Sequence, residues 1–491
     1  MKSNPAEVVL IPTPGMGHLL SAVELAKLII RHEQRISFLI LILNVPLNFS
    51  IVNNYINSVS RNNPYPTRLT FVVLPPLSHL PDPTSPNFLT SFIDLHKPLV
   101  KQIIKNRAEA EARPVGFIFD MLCTPMMDIA TEFNIPWYIF FPSGASFLNL
   151  MLQFQSLADF HGIDIATEFS NPDITFDIPG FTNQVTGKIV PRIFLEKEGG
   201  SSMMIDRARH FRRSNGILVN SYVELQQFGI QALFDQVTKH SIPAVFPVGP
   251  IIELDDESRS GSQSQKNNEE SIIGWLDEQP LSSVVFLCFG SMGSFDRDQV
   301  NEIAKGLENS GHRFLWSLRK PPPGDGKYGL PSEDETFVDA LPEGFLDRTS
   351  SRGSIIGWAP QVSILAHSAI GGFVSHCGWN SILESLWFGV PIATWPCYAE
   401  QQLNAFELVK ELELAVGIRI DYKYEWKIKK GNFLVTAKEI EIGVKKLMNL
   451  DETTKTRVKQ MRDEGRKALH NGGSSHKWLR CFIEHVLSHD N

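Results

Sequence analysis

Short, unbroken apolar runs alternate with helical patterns along almost the whole chain, and this alternation constrains the fold more than any other feature. In the first half the runs lie at 8–12, 36–43, 69–75, 116–120, 137–141 and 216–221. In the second half they lie at 284–290, 313–319, 354–359, 371–375, 391–396 and 416–420. Continuous Val, Ile, Leu and Phe runs separated by helices are typical of parallel strands covered on both faces. The sequence therefore predicts an α/β protein with two doubly wound parallel-sheet domains.

The division into two domains also follows from length, because single cores stop growing at about 250–300 residues and this chain has 491. A polar stretch at 254–270, rich in Ser, Gln and Asn, is typical of a linker or mobile loop. A second exposed loop is expected at 321–335. The predicted parts are an N-terminal domain, a linker, a C-terminal domain and a final helix, at 1–245, 246–272, 273–470 and 471–491.

Composition excludes several classes of protein. Lys and Arg number 46 against 54 Asp and Glu, which gives a formal net charge of -8 and no broad attraction to nucleic acid. Five cysteines without a CxxC pair fit neither a disulfide framework nor a zinc site. The run at 38–43 is too short to span a bilayer, and the N-terminal residues lack the long apolar core expected of a signal peptide. We expect a cytoplasmic protein without a membrane span.

Polar residues follow two strands of the first domain, where open parallel sheets bind their ligands. The strand at 8–12 runs into Pro14-Gly15-Met16-Gly17-His18, and the strand at 116–120 ends on Asp120. Either residue alone could be a turn or helix cap. Together they can form a general base and its partner, because a carboxylate fixes the imidazole tautomer and stabilises the imidazolium.

The glycine-rich turn is also a weak match to a dinucleotide-binding fingerprint. Leu20 stands where the third glycine belongs, and no Asp or Glu occurs between Glu33 and Asp82 to hold a ribose. The sequence therefore disfavours an NAD-dependent oxidoreductase.

Two strand-to-helix turns of the second half, at 290–294 and 376–381, have the composition of anion sites. Small residues let backbone N–H groups approach an anion, and a helix N-terminus favours negative charge. His376, Asn380 and Glu384 recur every four residues on an otherwise apolar helix, a stripe that could instead face solvent. Asp296-Arg297-Asp298 looks like a metal-binding DxD, but its place in a first helical turn predicts a cap.

The sequence resembles the plant-type UDP-dependent glycosyltransferases of glycosyltransferase family 1. Residues 358–401 match the signature box of that family from end to end, and the likeness covers essentially the whole chain, including the PGxGH turn and Asp120. The resemblance implies the GT-B fold, two facing Rossmann-like domains with the UDP-sugar mainly on the second and the acceptor in the first. It also implies that the C-terminal helix returns to the first domain.

The resemblance implies a role for individual residues. His18 is the general base and Asp120 its partner. The uracil and ribose contacts are Trp358, Ala359, Gln361 and Glu384. The diphosphate contacts are Ser291, His376, Gly378, Asn380 and Ser381. The sugar contacts are Ser143, Trp379, Glu400 and Gln401, with Tyr398 as a wall between donor and acceptor. Candidate acceptor contacts are Gly15, Phe119, Phe141 and Phe147, in a pocket for which Phe140 and Met151 are also considered.

The expected reaction is inverting transfer of glucose from UDP-glucose to a hydroxyl of a small apolar flavonoid, other phenolic or terpenoid. Gln401 is typical of glucose-using members, and Glu400 stands where many members carry Asp. No metal or other cofactor is expected, since a helix N-terminus and His376 would offset the charge of the diphosphate. We expect a monomer.

The alternative function, from outside the enzymes, is a regulatory module that binds UDP-sugars without converting them. Such a module would need neither His18 nor Asp120.

Overall fold

The computed structural model describes residues 5–45, 49–82, 85, 87–110, 113–254, 263–321, 336–423 and 433–488. The strands are β1 Ala6–Ile11, β2 Ile36–Ile42, β3 Leu69–Val73, β4 Gly116–Asp120, β5 Trp137–Phe141, β6 Thr175–Phe176, β7 Val185–Thr186, β8 Gly216–Val219, β9 Ala244–Pro247, β10 Val284–Cys288, β11 Arg313–Ser317, β12 Gly353–Ile356, β13 Ile370–Ser375, β14 Ile392–Thr394 and β15 Ala415–Gly417.

The helices lie between these strands and at the end of the chain. They are α1 Met16–His32, α2 Phe49–Arg61, α3 Phe88–Glu109, α4 Met127–Glu132, α5 Ala145–His161, α6 Ile165–Glu168, α7 Gly200–Arg213, α8 Gln227–Thr238, α9 Gln263–Asp277, α10 Arg297–Ser310, α11 Phe345–Thr349, α12 Gln361–Ala366, α13 Trp379–Phe388, α14 Gln401–Phe406, α15 Ala437–Met448, α16 Glu452–Leu469 and α17 Ser474–Leu487.

The strands form two large sheets and one small hairpin. The first sheet has the order β3-β2-β1-β4-β5-β8-β9 and the second β12-β11-β10-β13-β14-β15, and every pairing within them is parallel. Strands β6 and β7 pair antiparallel. Each predicted apolar run overlaps one of these strands, so the predicted fold of two doubly wound parallel-sheet domains is confirmed.

Each sheet reverses its winding direction beside its first strand. Strand β1 lies between β2 and β4, and β10 lies between β11 and β13. Connections therefore leave β1 and β4 toward opposite sides, which opens a crevice between their carboxyl ends. Ile11 pairs with Phe119 in the first sheet, and Cys288 pairs with Ser375 in the second. This register brings the turn after β1 next to Asp120, and the turn after β10 next to His376.

Side chains on the central strands of the first sheet alternate between two cores. One core holds Phe117, Phe119, Ile139 and Phe141. The other holds Ile118, Tyr138 and Phe140, and all seven are at most 1% exposed. The alternation is that of a sheet buried on both faces, and it directs these rings into the two helical layers.

The last helix packs on the first sheet rather than on the second. Leu479, Phe482 and Val486 of α17 belong to the core that contains Tyr138. The Phe482 ring lies 5.1 Å from the Tyr138 ring, edge to face. The C-terminal segment thus closes one face of the N-terminal sheet.

The connections between the domains are described in part. Helix α9 begins at Gln263, inside the stretch for which the sequence predicted a linker. Residues 255–262 lie outside the described residues, as does the predicted loop from 322 to 335. In the described part of the chain, no helix combines the length and apolar character needed to cross a membrane.

Candidate active site

A cavity of about 960 Å³ is lined by residues of both sheet domains. His18, Ser143 and Phe147 reach it from the first domain. Every residue that the resemblance assigns to the donor also lines it. The volume is near the upper end of the range of about 300–1,000 Å³ found for small-molecule sites, which suits two substrates.

His18 and Asp120 form a hydrogen-bonded pair at the carboxyl edge of the first sheet. His18 Nδ1 lies 2.7 Å from Asp120 Oδ2. The His18 side chain is 32% exposed and faces the cavity, whereas that of Asp120 is 1% exposed behind it. The hydroxyl of Thr13 and the N–H of Leu122 donate to the other carboxylate oxygen of Asp120. Asp120 is therefore held in one orientation, and it orients the imidazole in turn.

The pKa of His18 is raised above its usual value. Burial lowers it, but the charge of Asp120, the hydrogen bond to Asp120 and the charge of Glu400 together outweigh burial. All three stabilise the imidazolium form. The pair has the composition and geometry of a general base with its orienting carboxylate.

The two anion-site turns of the second domain pack tightly around the His376 ring. A Cβ added at Gly290 or at Gly378 would lie 2.5 Å from His376 Nε2. Gly290 also has a φ of +75°, which other residues rarely adopt. Only glycine allows both turns to approach this ring, and the approach joins the turn after β10 to the N-terminus of α13.

Burial lowers the pKa of His376 to about 4. The sequence-based expectation that its charge offsets a diphosphate therefore needs correction, because the ring is neutral near pH 7. Its Nδ1 is buried and has no hydrogen-bond partner among the described residues. A neutral His376 can contribute a hydrogen bond, while the N-terminus of α13 contributes positive potential.

The residues assigned to uracil and ribose lie together at one end of the cavity. Gln361 Nε2 donates to Glu384 Oε2 at 2.6 Å and to Ser381 Oγ at 2.9 Å. The Arg319 guanidinium lies 5.0 Å from the centre of the Trp358 ring and donates to the Ser291 carbonyl at 2.6 Å. Arg319 thus connects the Trp358 ring, to which uracil stacking is assigned, to the turn after β10.

The residues assigned to the sugar come from both domains. Ser143 Oγ donates to Glu400 Oε1 at 3.1 Å across the cavity. Gln401 Oε1 accepts from the N–H groups of Cys397 and Tyr398, both at 2.9 Å. Gln401 therefore shapes the loop that carries Tyr398, in addition to lining the cavity.

Asn380 links the two domains at the diphosphate end. Its amide donates to the Gly17 carbonyl at 3.1 Å and accepts from Ser21 Oγ at 3.2 Å. The turn that carries His18 is thus fixed against the N-terminus of α13, which sets the base relative to the donor site.

The wall of the acceptor side differs from the set expected from sequence. Phe147 lines the cavity, but Gly15, Phe119 and Phe141 are not among its lining residues. Phe119 and Phe141 lie within strands and point into a helical layer, where both are fully buried. The cavity is bounded instead by residues beyond the strand ends, which include Met121, Leu122, Ile193, Met203 and Met204.

Charged residues of the cavity wall were missed by the sequence analysis. Arg192, Glu196 and Lys423 line it. Burial and the charge of Arg192 lower the pKa of Lys423 to about 8. Arg192 begins a short 3-10 helix, Glu196 follows it, and Lys423 lies in a loop. None of the three belongs to a recognisable motif, so the spacing of residues in the sequence could not identify them. Arg319, at the end of β11, could have been found from the rule that ligand sites follow strand ends.

Asp296 is a helix cap, as the sequence predicted. Its Oδ1 accepts from the Gln299 N–H at 2.9 Å at the start of α10. Among the residues that the structure describes, no three His, Cys, Asp or Glu side chains come together as a metal site.

Comparison with known proteins agrees with this geometry. The profile described as "UDP-glucoronosyl and UDP-glucosyl transferase" matches residues 237–420. The chain is 47% identical to UDP-glycosyltransferase 71E1 of Stevia rebaudiana and 45% identical to UDP-glucose flavonoid 3-O-glucosyltransferase 6 of Fragaria ananassa, over 98% of this chain and of each relative. The chain belongs to the plant-type UDP-glycosyltransferases, glycosyltransferase family 1. Its enzyme class is therefore that of the UDP-glucosyltransferases.

Solved structures of this family have the same fold. UGT71G1 of Medicago truncatula, complexed with UDP-glucose, is 39% identical with a TM-score of 0.85, over 98% of both chains. A UGT of Siraitia grosvenorii in complex with UDP is 41% identical with a TM-score of 0.85, over 98% of this chain and 100% of that one. The two sheet domains of the UDP-glycosyltransferase described above are thus the two halves of a GT-B fold.

Proposed function

We propose that the protein transfers glucose from UDP-glucose to a hydroxyl of a small, largely apolar acceptor and forms a β-O-glucoside. The observation that carries the proposal is the shared cavity, because His18 lines the same space as every residue assigned to the donor. Three observations support glucose as the sugar: Gln401 at the sugar end, the name of the Fragaria relative, and the UDP-glucose bound to UGT71G1 of Medicago truncatula.

In the proposed reaction His18 acts as the general base. Asp120 engages Nδ1, which directs Nε2 toward the acceptor hydroxyl. As the acceptor oxygen forms its bond to the anomeric carbon, the bond from that carbon to the UDP oxygen breaks and the hydroxyl proton passes to His18. Attack from the face opposite UDP turns the α-linked donor into a β-glucoside.

Backbone groups and neutral side chains would stabilise the departing UDP. The turns at 290–294 and 376–381 offer N–H groups, and the N-terminus of α13 offers positive potential. The capping role of Asp296 supports a reaction without a divalent metal, because the DxD sequence is used by the helix.

The acceptor class is inferred from the cavity wall and from the relatives. Apolar side chains such as Met121, Phe147 and Met204 bound the acceptor side. The Fragaria relative is named for a flavonoid. We infer flavonoids and other phenolics as acceptors, with terpenoid alcohols as a further class.

The place of action and the assembly state complete the proposal. All five cysteines are unpaired, which supports a reducing compartment, the cytoplasm. A single chain supplies both walls of the cavity, which supports activity as a monomer. Size-exclusion chromatography coupled to an activity assay would test the monomer.

One incubation tests the proposed function. Purified protein is mixed with UDP-glucose and a panel of flavonoids, simple phenols, dihydrochalcones and terpenoid alcohols, and the products are read by mass, with β linkage assigned by proton NMR. A hexose adduct that depends on His18 supports the proposal. UDP-glucose binding without any adduct would instead favour a sensor of UDP-sugars.

A further inference from the structure

A buried polar cluster outside the residues assigned to either substrate joins the two domains. Its members are Ser146 and Gln226 from the first domain and Glu407 from the second, which are 1%, 2% and 4% exposed. Glu407 begins a π-helical turn, Glu407–Glu411, that directly follows α14. π-Helical turns are rare and are frequent at functional sites.

The carboxylate of Glu407 is fully engaged by the first domain. Ser146 Oγ donates to Oε1 at 2.6 Å, and Gln226 Nε2 lies 2.8 Å from Oε1 and 2.9 Å from Oε2. Ser146 lies in the first turn of α5, so the positive end of that helix faces the carboxylate. These contacts bind the second domain to the N-terminus of α5.

The same cluster holds the segment that carries Ser143. Gln226 Oε1 accepts from the Ala145 N–H at 2.8 Å. A Cβ added at Gly144 would lie 2.8 Å from both Gln226 Nε2 and the Trp379 ring, so this segment is packed between them. Ser143 then reaches Glu400 at 3.1 Å. The position of 143–146 against the sugar end of the cavity therefore depends on Glu407.

We propose that Glu407 is a positioning residue for glucosyl transfer: through Ser146 and Gln226 it fixes segment 143–146 of the first domain against the sugar subsite of the second. This inference rests on the proposed function, since it assigns Ser143, Trp379 and Glu400 to the sugar. Glu407 itself acts through these residues and lies outside the set of side chains that line the cavity.

The buried carboxyl group of Glu407 also predicts that folding stability depends on pH. Burial raises the pKa of Glu407 to about 7, the hydrogen bonds from Ser146 and Gln226 lower it, and the charge of Glu411 raises it. Ser146 and Gln226 are uncharged, so Glu411, further along the same turn, is the charged neighbour that acts on it. A carboxyl whose pKa is raised on folding contributes stability that is fully present below its unfolded pKa and is lost as pH rises through its folded pKa, here about 7. Glu407 should therefore contribute less to the stability of the folded protein at pH 7.5 than at pH 5.5.

The experiment compares Glu407→Ala and Glu407→Gln with wild type in the full-length protein. Dissociation constants for UDP and for UDP-glucose are measured by calorimetry, alongside kcat and KM for both substrates, and melting temperatures are measured from pH 5.5 to 8. Glu411→Gln is the matched control, because Glu411 contacts the first domain through Thr182 and Asn183 and not through segment 143–146.

We expect Glu407→Ala to lower kcat/KM for UDP-glucose by roughly 5–100-fold, since it leaves buried donors unpaired, while the dissociation constant for UDP changes by less than about threefold. Glu407→Gln, a neutral isostere, should bind UDP-glucose more nearly as wild type does and should lose the part of the pH dependence of folding stability that Glu407 contributes. Glu411→Gln should bind UDP and UDP-glucose as wild type does, while loss of its charge should lower the pKa of Glu407.

Two results would overturn the inference. One is equal weakening of UDP and UDP-glucose by Glu407→Ala, which would make Glu407 a purely structural residue. The other is a wild-type dissociation constant for UDP-glucose in Glu407→Ala, which would mean that the position of segment 143–146 does not depend on Glu407. If wild type binds UDP-glucose but transfers no glucose, the proposed function fails, while the comparison of dissociation constants still tests the positioning role of Glu407.

Discussion

At the scale of single residues, the Asp120 carboxylate gives His18 the properties of a base. It is 1% exposed and holds the imidazole at 2.7 Å, and its charge and hydrogen bond raise the pKa of His18 against the effect of burial. The neutral ring accepts a proton, so kcat/KM should fall as pH drops below this raised pKa.

Asp120→Asn keeps the shape of the side chain and removes the charge. Because burial alone lowers the pKa of His18, the acidic limb of the kcat/KM profile should move to lower pH, and the plateau should fall by about 10²–10⁴-fold. A pH-rate profile with one phenol acceptor measures both. An acidic limb at the wild-type position, with an undiminished plateau, would mean that Asp120 does not act on the base.

Gln401 is expected to form a hydrogen bond to a hydroxyl group of the sugar. Gln401→His should reduce use of UDP-glucose relative to UDP-galactose by about 2–13-fold, the effect of one hydrogen bond. The structure adds that Gln401 also accepts from the N–H groups of Cys397 and Tyr398, so kcat should fall with both donors. Specificity constants for the two donors are compared, and an unchanged ratio would remove Gln401 from the sugar subsite.

The sequence predicted individual site residues where they belong to a recognisable motif. His18 and Asp120 follow strand ends, and 358–401 carries a long signature, so spacing pointed to each. Thr13 and Glu407 depend on contacts across 107 and 261 positions of the chain, which no local pattern reports. Phe119 and Phe141 were candidates for the acceptor pocket, whereas strand alternation buries them in the core.

At the scale of elements, strand-to-helix turns carry the donor site. The apolar runs predicted every strand of the two large sheets except β9, which is four residues long and ends in Pro247. What the runs could not predict is how turns from β10 and β13 meet, because that depends on the packing of Gly290 and Gly378 around His376.

Gly378→Ala tests the packing of the turns after β10 and β13 around His376. The added Cβ would lie 2.5 Å from His376 Nε2, so the ring or the start of α13 must shift. Such overpacking costs about 1–3 kcal/mol, and UDP affinity should fall by roughly 5–150-fold, as measured by calorimetry. Gly274→Ala in α9, where an added Cβ meets nothing within 4 Å, is the control and should bind UDP normally. Wild-type UDP affinity in Gly378→Ala would contradict the proposed diphosphate site.

The helix N-terminus of α13 also predicts the response to metal removal. Because Asp296 is committed to the cap of α10, transfer should persist within about twofold in excess EDTA. Initial rates are compared with and without EDTA, then after addition of Mg²⁺ or Mn²⁺. Activity lost in EDTA and restored by Mn²⁺ would overturn the metal-free reaction.

At the scale of the whole molecule, the GT-B arrangement separates the base from the donor site. His18 and Asp120 belong to the first sheet domain, whereas the residues assigned to UDP, within 358–401 and at Ser291, belong to the second. Contacts such as Asn380 to Gly17 and Ser143 to Glu400 join the halves around one cavity. Loss of the base should therefore abolish chemistry while leaving UDP binding intact.

The rate of glucose transfer by His18→Ala, with the UDP dissociation constant measured on the same preparation, tests the central claim most directly. A positioned base contributes about 10²–10⁴-fold, so transfer should fall by that factor while UDP affinity stays within about threefold. The double variant with Asp120→Asn should be far less than multiplicatively worse, because the two residues act as a unit. Near-normal turnover of phenol and alcohol acceptors by His18→Ala would contradict the account.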